Sequence, residues 1–374
     1  MKYYIIAGEA SGDLHGSNLM GALKRRDADA RFRIWGGDRM LAQGGEPVKH
    51  INELAFMGFV EVLLNLRTIL SNIALCKKDL LDWKPDVLIL IDYPGFNLRM
   101  AKYARAHGIK VVYYISPQIW AWKQSRVKQI RRDVDRMLVI LPFEKPFYER
   151  FGVDVSYVGH PLLDALEEYT LEDSMENFLR ENTLDERPIV ALLPGSRRQE
   201  LKASLKLMAS LAPYFPNHQF VVAGVRAHPE SYYSELTAGT EVTTIFGQTY
   251  RLLAHAKAAL VTSGTATLET ALFGVPQAVC YRAGLISYLI ARQLVKVKYI
   301  SLVNLVMDRS LVREMIQDDF NFKDLKQELN RLLSDEDYVD RMKEGYRSLR
   351  KVLGGRGASE LAASELIEFL QANS

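Results

Sequence analysis

Asp92 is the residue of this 374-residue chain best placed to act as a general base. It follows the apolar run Val87–Ile91 and precedes Pro94-Gly95, so we expect its carboxylate at the carboxyl end of a buried strand. There it can accept a proton from a substrate hydroxyl. The alternative is a structural role, in which it binds neighbouring loop amides. The position at the end of a strand favours the catalytic role.

A phosphate-binding turn is predicted after the apolar run Ile189–Leu193. Gly195 permits close approach of the backbone to a ligand, and Ser196 can cap the following helix. Arg197 adds a bidentate donor beside the helix N-terminus, a combination that suits a phosphate group. The alternative is a surface arginine after a capped turn.

A second turn of this kind follows the run Ala258–Thr262, and it comprises Ser263, Gly264, Thr265, Ala266 and Thr267. Its hydroxyls and amides suit a diphosphate. Glu269 lies one turn further on, where it can either accept hydrogen bonds from a ribose or serve in a helix-capping box. Two phosphate-type turns in one half of the chain favour a nucleotide-sugar ligand.

The first apolar run leads into Gly8-Glu9-Ala10-Ser11-Gly12-Asp13 and the start of a helix. This loop either receives an anion at the helix N-terminus or is a tight turn capped by Asp13. Its glycines are four residues apart, which does not match G-x-G-x-x-G, so a dinucleotide site is disfavoured.

Two further segments could contact a membrane. Residues 57–70 are apolar on more than one helical face, which indicates a helix that is either buried or in contact with lipid. Core packing is the stronger of these two interpretations; the lipid interpretation would use Phe59, Val62, Leu63 and Leu66. Trp120 and Trp122 precede a run of lysines and arginines, a pattern typical of interfacial surfaces, with a solvated helix face as the alternative.

Buried strands must position all these residues, and short apolar runs separated by helical segments recur along the chain. The runs are Tyr3–Ala7, Arg31–Trp35, Val87–Ile91, Val111–Ile115, Met137–Leu141, Ile189–Leu193, Phe220–Ala223, Ala258–Thr262 and Gln277–Cys280. Runs without strict alternation are typical of parallel strands buried on both faces. They predict an α/β protein with two doubly wound Rossmann-like domains facing a central cleft, where such sheets bind ligands.

The length also favours two domains, because a single core rarely exceeds roughly 250–300 residues. We expect an N-terminal domain over residues 1–165, which binds the acceptor and faces the membrane, and a nucleotide-sugar domain over 166–353. Residues 354–374 form a predicted C-terminal helix whose packing partner the sequence leaves open.

Composition excludes several classes of protein. Lys and Arg number 48 and Asp and Glu 45, a net charge of +3, so a dedicated nucleic-acid binder is not expected. Cys76 and Cys280 are the only cysteines, too few for a disulfide framework or a four-cysteine zinc site.

No D-x-D pattern closes an apolar run, so neither a metal nor a cofactor is predicted. Arg197 and the helix dipoles must then neutralise a leaving diphosphate. No signal peptide or membrane-spanning segment is expected.

Several blocks keep the order of one known family over nearly the whole chain. They are GEASGD, IDYPGFN, SPQIWAW, LPFEKPFY, GHPL, LLPGSR, SGTATLE and SLVNL. Together they closely resemble the lipid A disaccharide synthase family, whose members are GT-B glycosyltransferases. Val303 stands where this family has a proline, which leaves the local turn in question.

The resemblance implies transfer of 2,3-diacylglucosamine from UDP to the 6-hydroxyl of 2,3-diacylglucosamine 1-phosphate. The donor is α-linked, so inversion gives a β-1,6-linked disaccharide phosphate and UDP. By motif, Asp92 is the base, and Arg197 with the turn 263–267 receives the diphosphate. The same resemblance assigns Glu269 to the ribose, Arg282 and Asn304 to the nucleotide, and Glu9, Ser11, Gly12 and Asp13 to the acceptor.

The resemblance also implies a cytoplasmic protein that is peripheral on the inner leaflet of the inner membrane, and it leaves a homodimer open. Two other functions remain. The same fold serves UDP-N-acetylglucosamine 2-epimerases and related UDP-sugar transferases, which would release a different product. A non-catalytic sensor of UDP-sugars or lipids could also retain the fold.

Overall fold

The computed structural model describes residues 1–54, 66–167, 174–284 and 297–372. The chain divides into two compact units, one formed by Met1–Glu168 with Leu353–Ser374 and the other by Tyr169–Val352. Each unit is built on its own parallel sheet with flanking helices. The predicted α/β class with two Rossmann-like domains is therefore confirmed.

The sheet of the first domain is parallel and has the strand order β3-β2-β1-β4-β5-β6-β7. Its strands are β1 Lys2–Ala7, β2 Arg31–Gly36, β3 Glu46–His50, β4 Val87–Ile91, β5 Lys110–Tyr114, β6 Arg136–Val139 and β7 Ser156–Tyr157. All five residues of β4 are buried, as expected for an interior strand covered by helices on both faces. The order reverses at β1 and β4, which is the point where doubly wound sheets bind ligands.

The helices of the first domain, apart from its C-terminal one, are α1 Ala10–Arg26, α2 Asp38–Ala42, α3 Leu66–Trp83, α4 Pro94–Ala106, α5 Ile119–Trp122, α6 Val127–Asp133, α7 Glu144–Glu149 and α8 Pro161–Glu167. Most follow a strand directly, as right-handed crossovers between parallel strands require. No helix in the part of the chain that the structure describes is long and apolar enough to cross a membrane.

The sheet of the second domain is also parallel, with the order β10-β9-β8-β11-β12-β13. Its strands are β8 Ile189–Leu193, β9 Gln219–Gly224, β10 Val242–Phe246, β11 Ala256–Thr262, β12 Gln277–Tyr281 and β13 Arg313–Ile316. Its helices are α9 Met175–Glu181, α10 Arg198–Ala209, α11 Glu230–Leu236, α12 Thr249–His255, α13 Thr265–Leu272, α14 Leu302–Met307, α15 Phe322–Ser334 and α16 Glu336–Leu353. Phe178 of α9 is fully buried in the core of this domain.

The final helix, α17 (Ala358–Ala372), returns to the first domain, where it packs on α1, α8 and β6. The Asp164 carboxylate accepts from the amides of Gly357 at 2.6 Å and Ser359 at 3.2 Å, and so holds the start of the helix. Glu360 pairs with Arg25 and Arg26 of α1. The partner that the sequence left open is therefore the N-terminal domain.

Candidate functional site

The loops after β1 and β4 lie side by side at the carboxyl edge of the first sheet. The two strands pair directly, with Ala7 opposite Ile91. A Cβ atom added to Gly8 would lie 2.4 Å from Cγ of Tyr93, so only glycine allows the tyrosine ring to cover this loop. The topology thus brings together two motifs that are more than 80 residues apart in the chain.

Asp92 lies in the second of these loops with its side chain half-buried. Asp92 and Tyr93 both have left-handed backbones, with φ of 43° and 47°, a conformation that costs about 1–3 kcal/mol per non-glycine residue. Asn97 stabilises it by donating to the carbonyls of Ile91 at 3.2 Å and Asp92 at 2.8 Å, and the Tyr113 hydroxyl also donates to the Asp92 carbonyl. Neither Asn97 nor Tyr113 has any exposed surface, so the backbone that carries the candidate base is held from the core.

Asn97 and Tyr113 are site residues that the sequence motifs alone do not identify. Asn97 belongs to the IDYPGFN block. Its position, one turn into a helix that follows a strand, was the one sequence signal that its amide side chain could bind the preceding loop. Tyr113 lies on the neighbouring strand β5, and only strand pairing brings it to Asp92.

Asp13 has a different role from the one expected. Its carboxylate is only 4% exposed and accepts hydrogen bonds from the amides of Gly37 at 2.7 Å, Arg39 at 3.1 Å and Met40 at 3.1 Å. These amides form the N-terminus of α2, so the buried carboxylate caps that helix. It neither caps α1 nor faces an acceptor sugar.

The other residues of this loop differ in exposure. Gly12 is buried, and a Cβ atom there would lie 3.1 Å from Cβ of Ala7, so its role is close packing of α1 on β1. Ser11 is exposed and Glu9 is half-buried. Of the four residues assigned to the acceptor, Glu9 and Ser11 are therefore the two with side chains at the surface.

In the second domain, the turns after β8 and β11 are also neighbours, because Leu193 pairs with Val261. Gly195 adopts φ of 96°, which glycine alone accepts easily. The expected cap by Ser196 is wrong: α10 begins at Arg198, and its N-cap residue is Arg197. The amides of Ser196 and Arg197 instead donate to one carboxylate oxygen of Glu200, each at 3.2 Å.

Only some residues of the turn after β11 are exposed to solvent. The Ser263 hydroxyl donates to the carbonyl of Ile300 at 2.8 Å, and the fully buried Thr267 hydroxyl donates to the carbonyl of Gly264 at 2.8 Å. Ala266 packs against the core. Thr265 is exposed at the start of α13, so Gly264 and Thr265 are the members of this turn that are best placed for a diphosphate.

Glu269 is the fifth residue of α13, too far along the helix for a capping box, so that interpretation is wrong. Its carboxylate accepts from the Tyr250 hydroxyl at 3.2 Å. Burial raises its pKa above the usual range. The neighbouring tyrosine, for which no sequence motif provides a signal, therefore orients this carboxylate.

Arg282 follows β12 and is engaged within its own domain. Its guanidinium donates to the carbonyls of Gln317 at 3.4 Å and Phe320, and lies 5.2 Å from the centre of the Phe320 ring. Arg282 therefore braces the loop after β13. These contacts use some of the guanidinium N–H donors that the resemblance assigns to a nucleotide.

Asn304 is fully buried, and all its hydrogen-bonding capacity is used internally. Its amide nitrogen donates to the Val312 carbonyl at 2.8 Å and to Glu314 at 2.9 Å, while its oxygen accepts from the amides of Leu311 and Val312. A direct contact with the nucleotide is not available in this arrangement, so Asn304 braces the loop. Val303 is buried at the second position of α14, so this helix forms without the family's proline.

The two indoles assigned to a membrane contact lie in different environments. Trp120 is 5% exposed, packs edge-on against Phe143 and donates from its indole nitrogen to Glu144 at 3.1 Å. It is a core residue, so its assignment to a membrane contact is wrong. Trp122 is 44% exposed, with the cations of Lys123 and Arg126 over its ring at 5.3 and 5.7 Å. Phe59, Val62 and Leu63 and the side chain of Leu66 lie outside the described residues.

The carboxylate that holds Trp120 should make the stability of the first domain depend on pH. Glu144 is 1% exposed, and burial raises its pKa to about 7 although three N–H groups donate to it. Because the folded pKa exceeds the unfolded one, its contribution is complete below about pH 4.5 and lost as the pH rises through 7. We expect a loss of about 3 kcal/mol over this range, and Glu144→Gln should abolish that part of the pH dependence.

Urea unfolding between pH 5 and 8, followed by tryptophan fluorescence, measures this effect. All four tryptophans lie in the first domain, so the signal reports on that domain alone. Desolvation lowers the pKa of the half-buried His15 to about 4 and that of the buried His160 to about 3; both are present in the two proteins, so their contributions cancel in the difference. Equal pH slopes for wild type and variant would contradict the assignment.

Among the described residues, no group of three or more His, Cys, Asp or Glu side chains is arranged to hold a metal ion. The turn after β8 offers amide N–H groups and the Arg197 guanidinium, which are groups that suit an anion.

Comparison with known proteins identifies relatives over almost the full length. The family model described as Lipid-A-disaccharide synthetase matches residues 3–366. The lipid-A-disaccharide synthase of Trichlorobacter lovleyi is 40% identical over 376 residues, which cover 99% of this chain and 98% of that protein.

Two solved structures show the same fold at low sequence identity. The UDP-GlcNAc 2-epimerase of Neisseria meningitidis bound to UDP-GlcNAc gives a TM-score of 0.71 at 15% identity, and the alignment covers 98% of this chain and all of that one. The glycotransferase of kitacinnamycin gives 0.65 at 15% identity, with 99% and 98% of the two chains covered.

Proposed function

The chain belongs to the lipid-A-disaccharide synthetase family and is a glycosyltransferase that forms the lipid A disaccharide, and we propose that it does so by a single inverting displacement. Its substrates are a UDP-sugar and a lipid acceptor. Membership in a family of glycosyltransferases argues against both alternatives, the epimerase and the non-catalytic sensor. The likeness to the epimerase, at 15% identity, shows the fold alone. The proposed donor is UDP-2,3-diacylglucosamine and the proposed acceptor is 2,3-diacylglucosamine 1-phosphate.

In the proposed reaction the Asp92 carboxylate takes the proton from the 6-hydroxyl of the acceptor. The oxygen then forms a bond to the anomeric carbon of the donor while the bond from that carbon to the diphosphate breaks. One displacement from the opposite face converts the α-linked donor into a β-linked product and releases UDP. This mechanism needs one base and no covalent nucleophile, and the single observation that carries it is the half-buried Asp92 held on a braced, left-handed backbone.

The leaving diphosphate requires positive charge. In the proposal Arg197 and the backbone amides of the turn after β8 supply it, together with Gly264 and Thr265 at the start of α13. Glu269, oriented by Tyr250, accepts from the ribose hydroxyls. Arg282 and Asn304 contribute by bracing the adjacent loops. The reaction then proceeds without a metal ion.

The acceptor side and the membrane are assigned to the first domain. Glu9 and Ser11, next to the Asp92 loop, would contact the acceptor sugar. Peripheral binding at the inner leaflet is supported by exposed apolar surface, since Trp122 lies at the surface among cations and Leu70 and Leu75 on α3 are 53% and 41% exposed.

An assay of UDP release tests the proposal. The protein is incubated with both acylated sugars and with each one alone, and we expect release only when both are present. The one-bond carbon–proton coupling at the new anomeric centre should identify a β linkage. EDTA should leave the rate unchanged. An α-linked product would overturn the single displacement, and loss of activity in EDTA would overturn the metal-independent account.

A further inference from the structure

The turn after β8 already holds an anion, supplied by the chain itself. One oxygen of the Glu200 carboxylate accepts from the amides of Ser196 and Arg197, each at 3.2 Å. A Cβ atom added to Gly195 would lie only 2.3 Å from the same oxygen. The carboxylate is therefore seated directly over the glycine, at the place where a ligand would approach the backbone.

The second oxygen of Glu200 faces the guanidinium of Arg197. It lies 3.6 Å from a guanidinium nitrogen of Arg197, so one side chain engages the two amides and the arginine together. Carboxylate and phosphate oxygens seek the same partners, N–H donors and positive charge. Glu200 thus uses the donors that the proposed function assigns to the diphosphate.

We propose that Glu200 is an internal competitor of the nucleotide: its carboxylate occupies the anion position of the turn after β8 and must be displaced when UDP binds. The inference rests on the proposed role of this turn. Because Glu200 is partly exposed, with 26% of its side chain accessible, it has room to swing outward when a diphosphate arrives. On product release the carboxylate returns to the amides, which weakens the hold on UDP and favours turnover.

A simple helix cap gives a different expectation. Glutamate at the third position of a helix often accepts from the amides of the turn before it and stabilises the helix. If Glu200 were only a cap and neither competed with the diphosphate nor repelled it, its loss would lower stability without tightening the binding of UDP. Loss of a competitor raises affinity, so the two roles are separated by the direction in which UDP affinity changes.

The test is Glu200→Gln, measured by calorimetric titration of the full-length protein with UDP alone. Glutamine keeps the length and one acceptor oxygen, removes the negative charge and replaces the second oxygen with an NH2 group. We expect the Kd for UDP to fall by roughly tenfold, which corresponds to about 1.4 kcal/mol, and the inhibition constant of UDP in the turnover assay to fall in parallel. Glu230→Gln is the matched control, because Glu230 is an exposed acid in the first turn of the neighbouring helix α11. Its affinity for UDP should equal that of the wild type.

An unchanged or higher Kd in Glu200→Gln overturns the competition. Arg197→Ala separates this failure from failure of the proposed site. If Arg197→Ala weakens UDP binding and Glu200→Gln does not strengthen it, only the competition is wrong. If neither changes the affinity, the diphosphate does not bind at this turn and both proposals fall. If Glu200→Gln unfolds at assay temperature, the UDP inhibition constant of Glu200→Asp decides, since the shorter carboxylate withdraws from the amides and should also give a lower value.

Discussion

Replacing Asp92 with asparagine should lower kcat by about 10²–10⁴ while leaving the affinity for UDP unchanged, as removal of a general base normally does. Asparagine has the same shape as aspartate and tolerates the left-handed backbone, so the loop held by Asn97 and Tyr113 should persist. The fall in kcat would then result from the missing carboxylate and not from a displaced loop. Steady-state assays with both acylated sugars, together with calorimetric titration of UDP, measure the two quantities.

The matched control is Asp82→Asn, which removes a carboxylate that is 63% exposed and paired with Lys78 on α3. Its turnover should stay within a factor of two or so of the wild type, because exposed pairs contribute little. The melting temperature of each variant shows whether the first domain is intact. A fully folded Asp92→Asn protein with normal turnover would remove Asp92 from the role of base.

Replacing Arg197 with alanine should weaken UDP binding by roughly 10–100-fold. A hydrogen bond to a charged partner contributes about 1.5–3 kcal/mol, and each 1.4 kcal/mol corresponds to about a factor of ten in Kd. Arg197→Lys should fall between wild type and Arg197→Ala, because an ammonium group keeps the charge and loses the bidentate geometry. Calorimetric titration of UDP into each protein gives the order directly.

Arg198 offers the control for this series, since it is the adjacent arginine and differs in its contacts. Its guanidinium lies over the Tyr232 ring, 4.7 Å from the ring centre, whereas Arg197 lies 3.6 Å from Glu200. Arg198→Ala should therefore leave the affinity for UDP close to that of the wild type. Equal losses at both positions would indicate a general effect of positive charge and would contradict a specific role for Arg197.

The interior strands could be predicted from the sequence, and the edge strands could not. Each predicted apolar run coincides with a strand to within two residues at either end, because a strand covered on both faces is largely apolar. The edge strands β3, β7, β10 and β13 were not predicted. Glu46–His50 and Arg313–Ile316 are largely half-exposed and contain charged residues, so they lack the signal of a buried run.

The positions of the chemical motifs could also be predicted, but several of their side-chain roles could not. Asp13, Trp120 and Asn304 were assigned to substrates or lipid, whereas the structure shows them buried in hydrogen bonds to the chain's own groups. The partners of Asp13 and Trp120 lie about 24 residues or more away in the sequence. A motif shows which hydrogen-bonding groups a residue has. Only the fold shows whether those groups are already bonded to another segment of the chain.

What the sequence alone determined is the class of the fold, the family and the loops that carry the chemistry, because these follow from local composition and from the order of motifs. The tertiary structure decided which groups in those loops face outward. It paired β1 with β4 and so placed the Asp92 loop beside Glu9, it returned α17 to the first domain, and it seated Glu200 on the turn after β8. These outcomes depend on contacts between distant segments, and such contacts form wherever burial and hydrogen bonding are best satisfied together.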